Sequence, residues 1–229
     1  KLKPLSDLPR TLLPVSPAEA SLPANPTDGT ATTPSSHSPD AAPPQLFGFA
    51  ATAQAHLLLG ARVPGCAPAD RGTPLSLELL LELLASEAGT GMAQQALLNR
   101  RALAFSVEGT LSGCLPERSL SLYVATSPRS LDAAEAALRD EIRRLADHPV
   151  APETLALARE RLVSRWVLSG QRRGDRALQL AGALLFGLPD PALSGDSPAE
   201  LLRHIDATAL QALAKQYLSD GQLVRAAVL

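Results

Sequence analysis

The sequence predicts an α+β fold, with a mostly antiparallel sheet and helices packed on one face. Three observations lead there. Two stretches with the period of two that a half-buried strand needs, Leu103 to about Ser112 and Ser119 to Thr126, are joined by the short segment GCLPER, which makes them an antiparallel hairpin and excludes a purely parallel, doubly wound sheet. A run of amphipathic helical stretches follows between residues 130 and 218. A lone apolar strand, Gln222 to Leu229, then closes the chain. Helices grouped between strands in this way belong to a layered α+β sandwich.

The totals bound the problem. A chain of 229 residues with a net charge of −2 has no basic excess for nucleic acid or an anionic membrane surface. Aromatic residues make up only 3% of the chain, so Leu, Ala and Val must build the core. The two cysteines, Cys66 and Cys114, lie far apart without metal-ligand spacing, and read as two buried thiols or as one pair. No apolar run reaches the length of a membrane span. The chain opens on Lys1, with no initiator Met and no signal-peptide pattern, and reads as a processed product or a piece of a longer protein.

Residues 1–45 read as a Pro-rich linker, tail or inserted loop, because ten of the twenty prolines lie there among Ser, Thr and Ala. Its apolar patch Leu12-Leu13-Pro14-Val15 is given no structure, and His37 is expected to be exposed. The domain is expected over 46–229. Its first strand is expected over about 46–60, with His56 read as solvent-facing or satisfied in the core rather than as a ligand. PGCAPADRG is a loop. Thr73 and Pro74 suit the start of a helix in which Leu77, Leu80, Leu81 and Leu84 share a face. Glu78 and Glu82, one turn apart, read as the edge of a solvated stripe.

Gly89-Thr-Gly91 breaks that helix. It lacks the lysine and the length of a phosphate loop and reads as an interhelical break. Met92–Arg101 forms a second helix, and Leu103, Phe105 and Val107 are expected on one side of the next strand. Ser130 is expected to cap a long helix with Leu131, Ala134, Leu138, Ile142 and Leu145 inward. His148 lies in the turn after it. Pro152 starts another helix, with Leu155, Ala158, Leu162 and Trp166 inward. Arg159, Arg161, Arg165, Arg172, Arg173 and Arg176 read as a solvated basic face rather than an anion contact. A helix over about 173–186 follows, then a turn. Ser197-Pro-Ala-Glu200 is a capping box, and Asp206 caps the last helix. No G-x-S-x-G, H-E-x-x-H or H-x-x-E-H motif occurs, and His37, His56, His148 and His204 are isolated from one another.

From Gln45 onward the ordered set of pieces resembles one family. The pieces are the strand QAHLLLGARVPG, the leucine helix with its small-residue break, RALAFSV where the family has a pattern like L-R-E-x-x-G-L-A-Y-S-V, SLYVATSPRSLDAAEAAL, and PVAPETLALARERL. The family is that of the insulinase/pitrilysin-type zinc peptidases, which include the mitochondrial processing peptidases. The likeness is to the family's non-catalytic second domain. It implies a clamshell of such domains, in which zinc is bound by H-x-x-E-H elsewhere. Laid on that motif, the chain reads Leu79-Leu80-Leu81-Glu82-Leu83, with leucines where both histidines belong.

Many active members carry, in the second domain, an arginine and a tyrosine seven residues apart that hold the substrate. Phe105 stands at the tyrosine position without its hydroxyl and Leu98 at the arginine position, with Arg100 and Arg101 close by in another register. The resemblance therefore implies no catalytic and no metal-binding residue here. It implies a non-catalytic domain that shapes a peptide-binding chamber or completes a dimer, with Arg100, Arg101 and Phe105 as substrate-binding candidates, zinc in a partner domain or subunit of the same family, and a peptide substrate. The alternatives are a structural assembly subunit of the same fold without peptidase activity, and an unrelated α+β binding domain.

Overall fold

The central hairpin becomes one edge of a five-stranded sheet. The computed structural model describes residues 45–48, 53–65, 72–113, 117–186 and 198–229. The strands are β1 (Gln45–Gly48), β2 (Ala55–Pro64), β3 (Ala104–Gly113), β4 (Glu117–Thr126) and β5 (Val224–Val228), in the order β1-β5-β2-β4-β3. Three of the pairings, β2–β4, β2–β5 and β3–β4, are antiparallel, and β1–β5 is parallel. The fold is thus the expected α+β class. The tail up to residue 44, His37, both cysteines, part of the PGCAPADRG loop and the Ser197 end of the capping box lie outside the described residues.

The single strand expected over 46–60 is two strands. Strict alternation holds only from Ala55, where Ala55, Leu57, Leu59, Ala61 and Val63 all turn inward. β1 and β2 flank β5 on opposite sides, so the chain leaves the sheet after Gly48 and re-enters beyond the strand that will arrive last. In β4, Leu120, Leu122 and Val124 are buried at the expected alternate positions. The hairpin connection is shorter than expected, because β3 runs to Gly113 and β4 starts at Glu117.

The helices cover the inward face. They are α1 (Gly72–Leu84), α2 (Met92–Gln94, continuing as a π-helix over Gln95–Arg100), α3 (Leu131–Asp147), α4 (Pro152–Gln171), α5 (Arg173–Phe186), α6 (Pro198–His204) and α7 (Ala207–Tyr217). α3 and α7 contact β2, and α1 contacts β3 while also touching α4, α6 and α7. Surrounded in this way, α1 buries far more than one stripe, since Leu75, Leu77, Leu79, Leu80, Leu83 and Leu84 are all inside while Leu81 is half-buried. α1 begins at Gly72, so Thr73 lies within its first turn and not at its cap.

Two further starts are informative. The cap ahead of α3 is Ser127, not Ser130. Its Oγ accepts from the Ser130 N–H at 3.2 Å and opens a 3₁₀ turn, Pro128–Ser130, that feeds the helix. Asp206 caps α7 as expected, its Oδ1 accepting from the Ala209 N–H at 2.7 Å.

The Gly89–Gly91 break is a packing joint. A Cβ on Gly91 would lie 2.4 Å from the Leu84 carbonyl oxygen and 2.7 Å from the Ala85 nitrogen, so only glycine lets α2 start against the end of α1. Gln94 secures the joint. Its Oε1 accepts from the Gly91 N–H at 2.9 Å, and its Nε2 donates to the Ser86 and Val107 carbonyls at 2.8 and 2.9 Å.

α3 meets the sheet with Leu131, Ala134, Leu138, Ile142 and Leu145, as its spacing predicts. Its polar side is tied to the rest of the fold. Glu135 accepts from Arg225 of β5 at 2.6 Å and from Arg139 at 2.9 Å, and Asp220 accepts from Arg139 and Arg143 at 3.0 and 2.9 Å. Burial pushes the Asp220 carboxyl upward, but the hydrogen bonds and charges of Arg143 and Arg139 outweigh it and hold the group below its ordinary value.

Candidate functional site

Arg100, Arg101 and Phe105 sit where regular structure fails three times in succession. The π-helix ends at Arg100, with the Arg101 N–H donating to the Ala96 carbonyl at 3.1 Å. Ala102 follows with φ at +49°, a left-handed conformation that is unfavourable for a residue with a side chain. The β3–β4 register then shifts between Ala104 and Ser106, leaving Phe105 as the extra residue of a bulge. The segment is held by the Leu103 N–H donating to the Leu97 carbonyl at 2.7 Å and by Thr126 Oγ1 donating to the Leu103 carbonyl at 2.5 Å.

The bulge corrects one expectation. Phe105 does not share a side with Val107, because the extra residue breaks the period of two. Val107 is buried, whereas Phe105 is 63% exposed on the edge strand. Arg100 and Arg101 are exposed as well. Arg100 leans on α3, its Nη2 lying 3.4 Å from Glu141 Oε1, while Arg144 holds the other oxygen of that buried carboxylate at 3.5 Å. Leu98 packs against the core and offers no polar group at the family's arginine position.

The second constellation is one that spacing alone misread. Glu78 and Glu82 do not edge a solvated stripe, because α4 lies across them. Glu82 is 4% exposed; its Oε2 accepts from Arg165 Nη1 at 3.0 Å and its Oε1 from Ser86 Oγ at 2.5 Å. Glu78 accepts from Trp166 Nε1 at 3.2 Å. Burial raises the Glu78 carboxyl above its ordinary value, against the Trp166 hydrogen bond and the charges of Arg118 and Arg165. Beside Glu82 opens a cleft of about 560 Å³ between the end of α1 and α4, reached by Glu87, Leu157, Arg161 and Arg172.

The arginines expected to form one solvated face are therefore divided. Arg165 serves Glu82 and Glu87, Arg159 donates to the Ile205 carbonyl, and Arg172 pairs loosely with Asp175 at 4.0 Å. The signal available in the sequence was the anomaly itself, two carboxylates on a helix otherwise made of leucine. Their partners stand more than eighty positions away, beyond the reach of any local pattern.

Zinc does not fit the leucine helix. Leu79 and Leu83, at the places of the two histidines, are buried in the core and have no lone pair to give, and Glu82 is already ion-paired. Among the described residues no group of three His, Cys, Asp or Glu side chains is placed to hold a metal ion. His56 is satisfied, its Nδ1 lying 2.7 Å from the Tyr123 hydroxyl with the two rings stacked. No described helix is long and apolar enough to cross a membrane.

The fold and these sites can now be set beside known proteins. The chain is similar in structure to a protease from Helicobacter pylori, with a TM-score of 0.71, 14% identity, and coverage of 81% of this chain and 44% of that one. It is similar to a peptidase M16 inactive domain from Pseudomonas fluorescens, with a TM-score of 0.70, 13% identity, and coverage of 82% and 43%. It is also similar to a chain of complex III2 from Candida albicans, with a TM-score of 0.68, 10% identity, and coverage of 81% and 45%. At such identities the likeness is one of fold, and the chain spans less than half the length of these proteins. No curated protein matches it in sequence. The model of one family, described as the peptidase M16 inactive domain, matches residues 14–162, which is more than half of the chain. The leucine-filled zinc positions agree with that description, and the chain belongs to the peptidase M16 inactive-domain family.

Proposed function

We propose that this domain shapes a peptide-binding chamber for a zinc metalloendopeptidase of the same family, whose H-x-x-E-H site lies in another domain or subunit. The observation that carries the reading is the match to the inactive-domain family together with a leucine helix that has no place for zinc. In this reading Arg100, Arg101 and Phe105 face the chamber. Exposed guanidinium groups suit peptide carbonyls and carboxylates, and an exposed aromatic ring suits an apolar side chain of the substrate. The irregular backbone from Gln95 to Ser106 supports it, since π-turns, left-handed residues and bulges gather where side chains must be aimed. Hydrolysis is not assigned to this chain.

The test is peptide cleavage with added zinc, by this chain alone and by its longer parent or an active partner subunit. Cleavage only in the larger assembly, reduced by Arg100→Ala, Arg101→Ala or Phe105→Ala through KM, is the expected result. Chelator-sensitive cleavage by this chain alone would sink the reading. A second reading is an assembly subunit without peptidase activity, favoured by the likeness to a chain of complex III2. An intact parent assembly with no cleavage and no peptide binding would select it.

A further inference from the structure

A single buried side chain, Gln94, touches both ends of the irregular segment that carries Arg100, Arg101 and Phe105. It is 6% exposed. Its Oε1 accepts from the Gly91 N–H, ahead of the segment. Its Nε2 donates to the carbonyl of Ser86, just past α1, and to that of Val107, the second residue after the bulged Phe105. These partners leave the amide one orientation, since the N–H needs its oxygen and the two carbonyls need its nitrogen. An ionised Glu has no donor for the carbonyls, Met has none at all, and Asn is a methylene short.

That placement answers a need. A π-helix, a left-handed Ala102 and a bulge are each unfavourable departures, and such backbone keeps one shape only where its surroundings over-determine it. The hydrophobic effect works against this shape as well, because it favours a Phe105 ring turned in beside Val107, yet the ring is 63% exposed. Before the bulge the backbone is pinned at Leu103, whose N–H donates to the Leu97 carbonyl and whose carbonyl accepts from Thr126 Oγ1. After it, Val107 pairs with Val124 of β4 in the shifted register and gives its carbonyl to Gln94. Arg100 has a hold of its own in Glu141. We infer that Gln94 is the positioning residue of the candidate site: by fixing Val107 its Nε2 sets the outward aim of Phe105. Phe105 would meet the substrate, and the buried Gln94 acts only through it. Its functional part rests on the chamber reading, whereas the hold on Phe105 does not.

Fluorine NMR of the chain labelled with para-fluorophenylalanine tests it. The chain has four phenylalanines, Phe47, Phe49, Phe105 and Phe186, and Phe105→Leu assigns the resonance of interest. Gln94→Met keeps the length of the side chain and removes all three hydrogen bonds. It should move or split the Phe105 resonance while the other three stay and circular dichroism is unchanged. In the parent assembly that cleaves peptide it should raise KM about tenfold at unchanged kcat. A Phe105 resonance that stays put overturns the inference. So does one that moves only together with the other three, the mark of a general loosening. A displaced resonance with an unchanged KM is read against Phe105→Ala. Where that variant raises KM, the positioning role falls; where it does not, or where the parent cleaves nothing, the chamber reading falls and the hold on Phe105 stands. If Gln94→Met does not fold, hydrogen exchange in the unaltered chain decides. The Gln94 side-chain amide protons should exchange far more slowly than those of exposed Gln222, and equal rates overturn the inference.

Discussion

α3 and α5 are both amphipathic, and they face opposite ways. α3 sends Leu138, Ile142 and Leu145 into the sheet and keeps its arginines outside, ion-paired to Asp220 and Glu141. α5 turns its polar residues toward α4 and leaves Leu184 and Leu185 bare. An amphipathic pattern tells that a helix has an apolar face. It does not tell whether the same domain covers it. For α3 the cover is β2 and β4; for the outward face of α5 none of the described elements supplies it.

Energies sharpen that contrast. Leu138→Ala should destabilise the domain by about 3 kcal/mol, since it opens a cavity in a closed core, whereas Leu184→Ala in a monomer should stay within about 0.5 kcal/mol. Urea denaturation of the two variants measures this, and equal losses would mean that α5 is packed after all. Ion pairs divide in the same way. Arg165→Ala strands the buried Glu82 carboxylate and should cost about 2–3 kcal/mol, while Arg143→Ala removes an exposed partner of Asp220 and should leave the midpoint where it is.

Glycines give a smaller version of the same comparison. Gly91→Ala must push a methyl group into the backbone of α1 and should cost about 2 kcal/mol, whereas Gly182→Ala in α5 meets nothing and should stabilise by roughly 0.5–1 kcal/mol. Thermal unfolding separates the signs.

The least effect is expected from pH. The Glu78 carboxyl titrates above its unfolded range, so its contribution is complete in acid and fades as pH rises through the raised value. Asp220 titrates below its unfolded range, so its contribution is complete above that range and fades as pH falls through the lowered value. Glu78→Gln should therefore gain on the parent chain as pH climbs from the ordinary carboxylate range toward neutral. Denaturation midpoints of the two proteins at each pH check this, and a gap that does not change with pH would refute the assignment.

Much of the frame was legible because its causes are local. The α3 stripe, the β4 alternation, the Asp206 cap and the β3–β4 hairpin each follow from a few neighbouring residues. What escaped has distant causes. β1 and β2 separate because β5 enters between them from the other end of the chain. Glu78 and Glu82 are covered because Trp166 and Arg165 arrive on α4. In the candidate site, a family pattern singled out Arg100, Arg101 and Phe105, but the bulge that turns Phe105 outward is set by its pairing with β4, which the alternation of Leu103, Phe105 and Val107 concealed.

The position of β5 also sets a clock. It is the last of the five described strands to be made, yet it lies inside the sheet, paired to β1 on one side and β2 on the other. At roughly 5–20 residues per second of synthesis, the edge of β2 that awaits it stays unpaired for about ten to thirty seconds after β2 has left the ribosome. Throughout that interval the nascent domain offers a Leu-rich strand edge to any other chain, and a ribosome stalled before Val224 would hold a sheet with that edge still open.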